Sequence, residues 1–312
     1  MTMPPFLNPP SEPTEVPAPQ APLIERIPPI VFAVLTLCLV FFLYQVIGGI
    51  ATFIFIGEMP NEENMNTVRW LTVVGQVLLM LIPTLLLARL RHGREINFFR
   101  FKTPDLRQVV ATVIGVFALQ QVLQGYLMLQ ESVPLPQGVQ QFIDEWGKRV
   151  EEIYKLLVTS RSFSEFLFVS LVVAVVPAFT EELLFRGLVQ RNVERVAGGL
   201  KAAVATGVVF AAFHLNPLTI IPLAALGVYF GFIVYRSANI SLAITTHFFN
   251  NFLACVAAYM SLDEDFLVMS PGTQPSPSVV AFNSFLFLVV FALSTFSLVR
   301  LTAQAQPEPD RS

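Results

Sequence analysis

Runs of mostly apolar residues, all but a short fifth one about 20 long and able to cross a bilayer as a helix, constrain this chain more than anything else in it. Candidates lie at 28–50, 68–90, 108–130, 164–186, 200–215, 217–236, 240–261 and 277–300. Inside lipid, only helices and closed barrels satisfy every backbone N–H and C=O. These runs are continuous, whereas barrel strands alternate over about 10 residues. The expected fold is therefore an all-α polytopic membrane protein with about eight transmembrane helices. Composition agrees: 13% of the 312 residues are charged, about half of the roughly 25% usual in soluble domains. No dense basic patch with interleaved aromatics is present, so no nucleic-acid partner is expected. The two cysteines, Cys38 and Cys255, both fall inside expected spans and suggest neither a disulfide framework nor a thiolate metal site.

Residues 1–25 are rich in proline and read as a disordered tail, without the basic n-region of a signal peptide. Residues 26–302 form the transmembrane domain, and 303–312 a second short tail. Orientation follows from Lys and Arg in short loops. Arg89, Arg91, Arg94, Arg100, Lys102 and Arg107 follow the second run, Arg191, Arg195 and Lys201 the fourth, and Arg236 the sixth. With alternating spans these fall on one side, which places both termini in the cytoplasm. The single chain with a plain basic loop points to a bacterial plasma membrane. Between the third and fourth runs, Phe142, Ile143, Trp146, Val150, Ile153, Tyr154 and Leu157 recur at helical spacing among charges. The stretch 139–162 is thus expected to be an amphipathic interfacial helix, serving as a connector or a substrate gate.

One apolar run carries charges. "VVPAFTEELLFRGLVQ", residues 175–190, holds Glu181, Glu182 and Arg186. Ionisable groups inside a span are costly and usually functional. Glu182 and Arg186 are one turn apart and should pair; Glu181 lies about 100° round the helix, without a partner on its own face. Such a carboxylate suits proton transfer, although a structural ion pair with a second glutamate reaching the interface is also consistent. Two of the three histidines lie in apolar runs as well. His214 follows Phe210 by one turn, and His247 precedes Asn251 by one turn. Counting about 1.5 Å per residue puts Glu181 and His247 in the cytoplasmic half of a ~30 Å core, while His214 comes out too high unless its helix starts low or tilts. These residue types allow two chemistries. Glu181 and His214 could activate water while His247 and Asn251 stabilise an oxyanion. Alternatively His214, His247 and Glu181 or Glu182 could hold a metal, zinc being possible, although no HExxH is present. A proton-coupled transporter is a further class, but no broken-helix repeat supports it.

"EELLFR" (181–186), "FAAFH" (210–214) and "HFFNN" (247–251) together resemble the three motifs of the CPBP or Abi family, the CAAX-protease-like membrane proteins. The resemblance covers about 165–255. It implies an intramembrane endopeptidase acting on a membrane protein or peptide. Glu181 would be the general base and His214 would orient water. His247 and Asn251 would form the oxyanion site, with Glu182, Arg186 and Phe210 supporting the architecture. No cofactor is needed if the glutamate does the work, while a zinc enzyme is the other mechanism considered for the family. A non-catalytic immunity or scaffold protein would keep the same fold. The first three spans lie outside the resemblance.

Overall fold

A computed structural model describes residues 23–93, 96–260 and 276–303. They form an all-α membrane protein. Seven helices are long and apolar enough to cross a bilayer: α1 Pro29–Ile56, α2 Met65–His92, α3 Leu106–Glu131, α5 Phe163–Ala197, α7 Pro217–Ser237, α8 Ile240–Tyr259 and α9 Pro277–Thr302. Between them lie α4, Gln137–Val158, and α6, Gly199–Phe213.

Local chemistry sets the boundaries. Pro29 starts α1, and Gly57, at φ 73°, ends it in the left-handed conformation that favours glycine. Asp105 caps α3 by accepting from the Arg107 N–H at 2.7 Å, and Ser162 caps α5 through the Glu165 N–H. Asn239 caps α8 in the same way. Gly198, at φ 82°, breaks the chain between α5 and α6.

The fifth expected span is only a 15-residue helix, α6. At ~1.5 Å per residue it rises about 22 Å, too short to span a ~30 Å core. Eight crossings thus become seven full-length helices and one short one among the described residues. A second boundary also differs. Leu23–Arg26 form a turn of helix inside the stretch read as tail to residue 25. Arg91 holds the chain there by donating to the Ile24 and Ile27 carbonyls at 2.9 and 2.8 Å. The rest of both tails, and the acidic loop before α9, lie outside the described residues.

The expected helix at 139–162 is observed as α4, ending at Val158. It stops because Arg69 of α2, 2% exposed, takes its terminal carbonyls. The guanidinium donates to Leu156 and Leu157 at 2.9 and 3.1 Å, to Thr159, and to Glu165 and Asn66 at 2.7 and 2.8 Å. Cations at a helix C-terminus satisfy carbonyls that have no intrahelical partner.

The core is the face-to-face packing of α5, α6, α7 and α8, with α3 and α9 on one flank and α1 and α2 on the other. α6 and α7 meet backbone to backbone. A Cβ on Gly207 would stand 2.4 Å from the Val228 nitrogen, and one on Gly227 would stand 2.7 Å from the Gly207 oxygen. In lipid there is no hydrophobic drive between helices, so small residues that allow close approach hold such pairs together.

Candidate active site

The charged run of α5 lies at the centre of this packing. Glu182 is fully buried. Its Oε1 accepts from Arg186 Nη1 at 3.0 Å and from His247 Nδ1 of α8 at 2.9 Å. The first bond is the expected one-turn pair. The second joins residues 65 apart in sequence. A carboxylate can only accept here, so Nδ1 carries the proton and Nε2 is the ring atom left for chemistry. The His247 ring stacks on Phe230 with centroids 4.8 Å apart.

Arg186 is equally buried, and Nη2 donates to the Gly227 carbonyl at 2.8 Å. Its guanidinium carbon lies 4.7 Å from the centre of the Phe210 ring and 5.5 Å from that of Phe230. One turn further along α5, Gln190 repeats the pattern by donating to the Gly231 carbonyl at 3.0 Å. Glu182, Arg186 and Gln190 thus form a ladder facing the small-residue stripe of α7. Gln190 was not singled out in the sequence, yet E-x-x-x-R-x-x-x-Q opposite G-x-x-x-G was its visible signal.

Phe210 brings the second motif to the other two. Its ring is 4.6 Å from the ring of His214 and 6.2 Å from that of His247. His214 caps α6, with Nδ1 against the Phe210 carbonyl at 2.7 Å, and its ring is largely exposed. The height discrepancy is also resolved. Ile240, the first residue of α8, packs beside Gly187, ten residues before the end of α5, while α6 begins beyond that end. The start of α6 is therefore well below the start of α8, and its last residue reaches the level of the glutamates.

Asn251 lies one turn above His247. Nδ2 donates to the Val173 carbonyl at 2.9 Å, and Oδ1 accepts from Asn250 at 3.0 Å. Gln120 of α3 holds Asn250 at 2.7 Å. One N–H of the Asn251 amide is thus spent on α5 and the other remains.

Glu181 is partly exposed and makes no hydrogen bond or ion pair to another described residue. Around it are polar groups from helices that carry no motif. The Tyr44 ring of α1 packs against Gly75 of α2, next to Gln76. Gln76 accepts from Thr180 at 3.0 Å. Gln45 donates to the Phe213 carbonyl at 2.7 Å, tying α1 to the end of α6. These residues were missed because isolated polar positions in an apolar run carry no motif; their cost inside a span was the available signal.

The helices are locally widened where they meet. Phe42–Gly48, Gln76–Leu81, Leu171–Val175 and Leu183–Gln190 are π-helical. They include Tyr44, Gln45, Gln76, Val173 and Arg186. A π turn re-aims side chains by inserting a residue, and such turns concentrate at functional sites.

The alternative of a metal centre meets a test here. Among the described residues, no group of three His, Cys, Asp and Glu side chains is arranged to hold a metal ion. His214, His247 and either glutamate do not converge in this arrangement, and His247 spends Nδ1 on Glu182. Cys255 is fully buried beside Phe166 and Val169, as an apolar thiol.

Residues 163–253 match the family model for type II CAAX prenyl endopeptidase Rce1-like proteins. That stretch is similar to the CAAX-protease-like family. The matched stretch runs from the start of α5 into α8 and contains all three motifs. No curated protein and no solved structure matches the chain. The similarity over this stretch, on a bundle of apolar helices, is to a family of membrane proteases.

Proposed function

We propose that the chain is an intramembrane endopeptidase that hydrolyses a peptide bond of a membrane-associated protein or peptide. Glu181 takes a proton from water, which His214 helps to hold. The hydroxide oxygen adds to the scissile carbonyl, and the negative charge moves onto the carbonyl oxygen. In this scheme His247 is doubly protonated, so that Nδ1 donates to Glu182 while Nε2, with the remaining Asn251 N–H, donates to that oxygen. Collapse breaks the C–N bond, and Glu181 returns its proton to the leaving amine. Glu182 and Arg186 fix His247 and the helix spacing. No metal takes part in this scheme. The reading places both termini in the cytoplasm of a bacterial cell.

The observation that carries it is the Glu182–His247 contact at 2.9 Å, which ties the first motif to the third. The same contact supports a second reading. With Nδ1 donating to Glu182, a neutral ring offers a lone pair at Nε2, and donates from Nε2 only when doubly protonated. His247 backed by Glu182 therefore has the arrangement of a base and its orienting carboxylate.

Comparing wild type with Glu181→Gln on a membrane-proteome peptide library, with and without a strong chelator, separates these readings. New peptide ends made by wild type and absent with Glu181→Gln support the glutamate base. Full activity in Glu181→Gln moves the base to His247. Activity lost to the chelator and restored by zinc overturns the metal-free scheme. A Glu181→Gln protein that still supports function in cells supports a scaffold.

A further inference from the structure

A cavity of about 660 Å³ lies away from the three motifs, between the first turns of α2 and α5 and the last turn of α4. Glu165, on its wall, precedes Glu181 by sixteen residues on the same helix, about 24 Å at 1.5 Å per residue. The cavity is therefore a separate site. Its volume is in the range of small-molecule pockets.

The lining divides by chemistry. Arg69 and Glu165 are spent on structure. All five N–H directions of Arg69 are taken, and the two Glu165 oxygens accept from Arg69 and from the Arg161 backbone N–H at 2.7 and 2.8 Å. The rim is different. Arg161 reaches Glu62 at 2.6 Å across an open surface, with side chains 73% and 68% exposed. Lys155 pairs with Glu151, again in the open. Exposed pairs of this kind contribute only about 0.2–1 kcal/mol. A phosphodiester, which arginine can grip through two parallel bonds, can displace them at little cost. The neighbouring Ser160 hydroxyl is buried and has no partner.

The wall is aromatic. Trp70 and Phe168 pair at 4.9 Å, and Trp70 is 56% exposed on the outer surface of the bundle. Tryptophan concentrates at the depth of lipid headgroups. The cavity thus offers cations at its rim, the exposed Glu62 carboxylate beside Arg161, and an aromatic wall that includes the exposed Trp70 ring. Those three features match a phosphate, an ammonium and the start of two acyl chains.

We infer that this cavity binds the headgroup of a zwitterionic phospholipid, a phosphoethanolamine ester. Its phosphate sits between Arg161 and Lys155, its ammonium at Glu62, and its glycerol against Trp70 and Phe168. A lipid seated there bridges α2, α4 and α5 and secures the amphipathic helix to the bundle.

Native mass spectrometry of the full chain in detergent tests this. The probes are dioleoyl-phosphatidylethanolamine, dioleoyl-phosphatidylglycerol, dioleoylglycerol and soluble glycerophosphoethanolamine. Wild type should retain the phosphatidylethanolamine at least tenfold more strongly than dioleoylglycerol. Arg161→Glu with Lys155→Glu should lose that preference, while Glu62→Gln should erase the margin over phosphatidylglycerol. Both cations are exposed, so melting should not change; if the reversal impairs folding, Arg161→Gln with Lys155→Gln should give the same loss. Equal retention by wild type and variant overturns the inference, as does equal retention of dioleoylglycerol. Binding of the soluble headgroup as tightly as the lipid would assign the cavity to a free phosphodiester and overturn the lipid assignment.

Discussion

Replacing Arg186 by Met removes a cation from the centre of the bundle and leaves its partners in place. Glu182 keeps only His247, and the Gly227 carbonyl loses its donor. If the lost contacts behave as ordinary hydrogen bonds between membrane helices, the cost is about 0.6 kcal/mol on average and under ~2 kcal/mol at most. If the orphaned charge dominates, it is about 3–5 kcal/mol. Full burial of both side chains favours the larger figure. At ~1.4 kcal/mol per decade that is over a hundredfold in the folded-to-unfolded ratio. Unfolding in mixed micelles with increasing dodecyl sulfate measures it, followed by Trp70 fluorescence, since that ring packs on Phe168 of α5. Combining Arg186→Met with Glu182→Gln removes the unpaired charge and should recover about 1–2 kcal/mol of the loss. A single-variant cost below ~2 kcal/mol, or a double variant as unstable as the sum of its parts, refutes the reasoning.

Other outcomes are open to measurement. Gly207→Leu forces side-chain atoms into the α7 backbone and should destabilise by at least the ~1–3 kcal/mol of core overpacking, read as a lower melting temperature. Arg69→Ala frees the end of α4, so limited trypsin digestion should cut after Lys148, Arg149 or Lys155 in the variant well before wild type. Asn251→Ala should lower kcat by about 10²–10³ with little change in KM, if its free N–H meets the oxyanion. Tyr44→Phe should reduce turnover while leaving the helical content and melting unchanged, since the ring stays packed on Gly75.

The sequence made the helices legible because each apolar run carries its own evidence. The Glu182–Arg186 pair was readable for the same reason, as one turn of one helix. What could not be read was anything decided between helices. Nothing local tells that His247 prefers Glu182 to Glu181, since the choice depends on how α8 rotates against α5. The π-helical stretches compound this. Face assignments at 3.6 residues per turn drift once a turn is widened, so Val173 was not expected at the site. Tyr44 and Gln76 lay outside every motif, and only the packing of α1 and α2 against Thr180 brought them in. The fifth run was already short in the sequence, and α6 ends within two residues of it, where His214 closes the helix and Asn216 caps the next turn.

The shortness of α6 bears on the supply of a reactant. A wall about 22 Å high leaves several ångströms of hydrocarbon facing a helix end. The bilayer relieves such hydrophobic mismatch by thinning, or polar side chains reach up to meet the headgroups. His214 closes this end of α6, exposed, with its N–H bonded to the Ala211 carbonyl and its Nδ1 against the Phe210 carbonyl. The proposed hydrolysis would consume one water for each peptide bond. On the proposed reading, a local depression of the membrane over α6 would bring that water toward the glutamates without a pore through the bundle, and hydration of the reaction would follow from the length of a single helix.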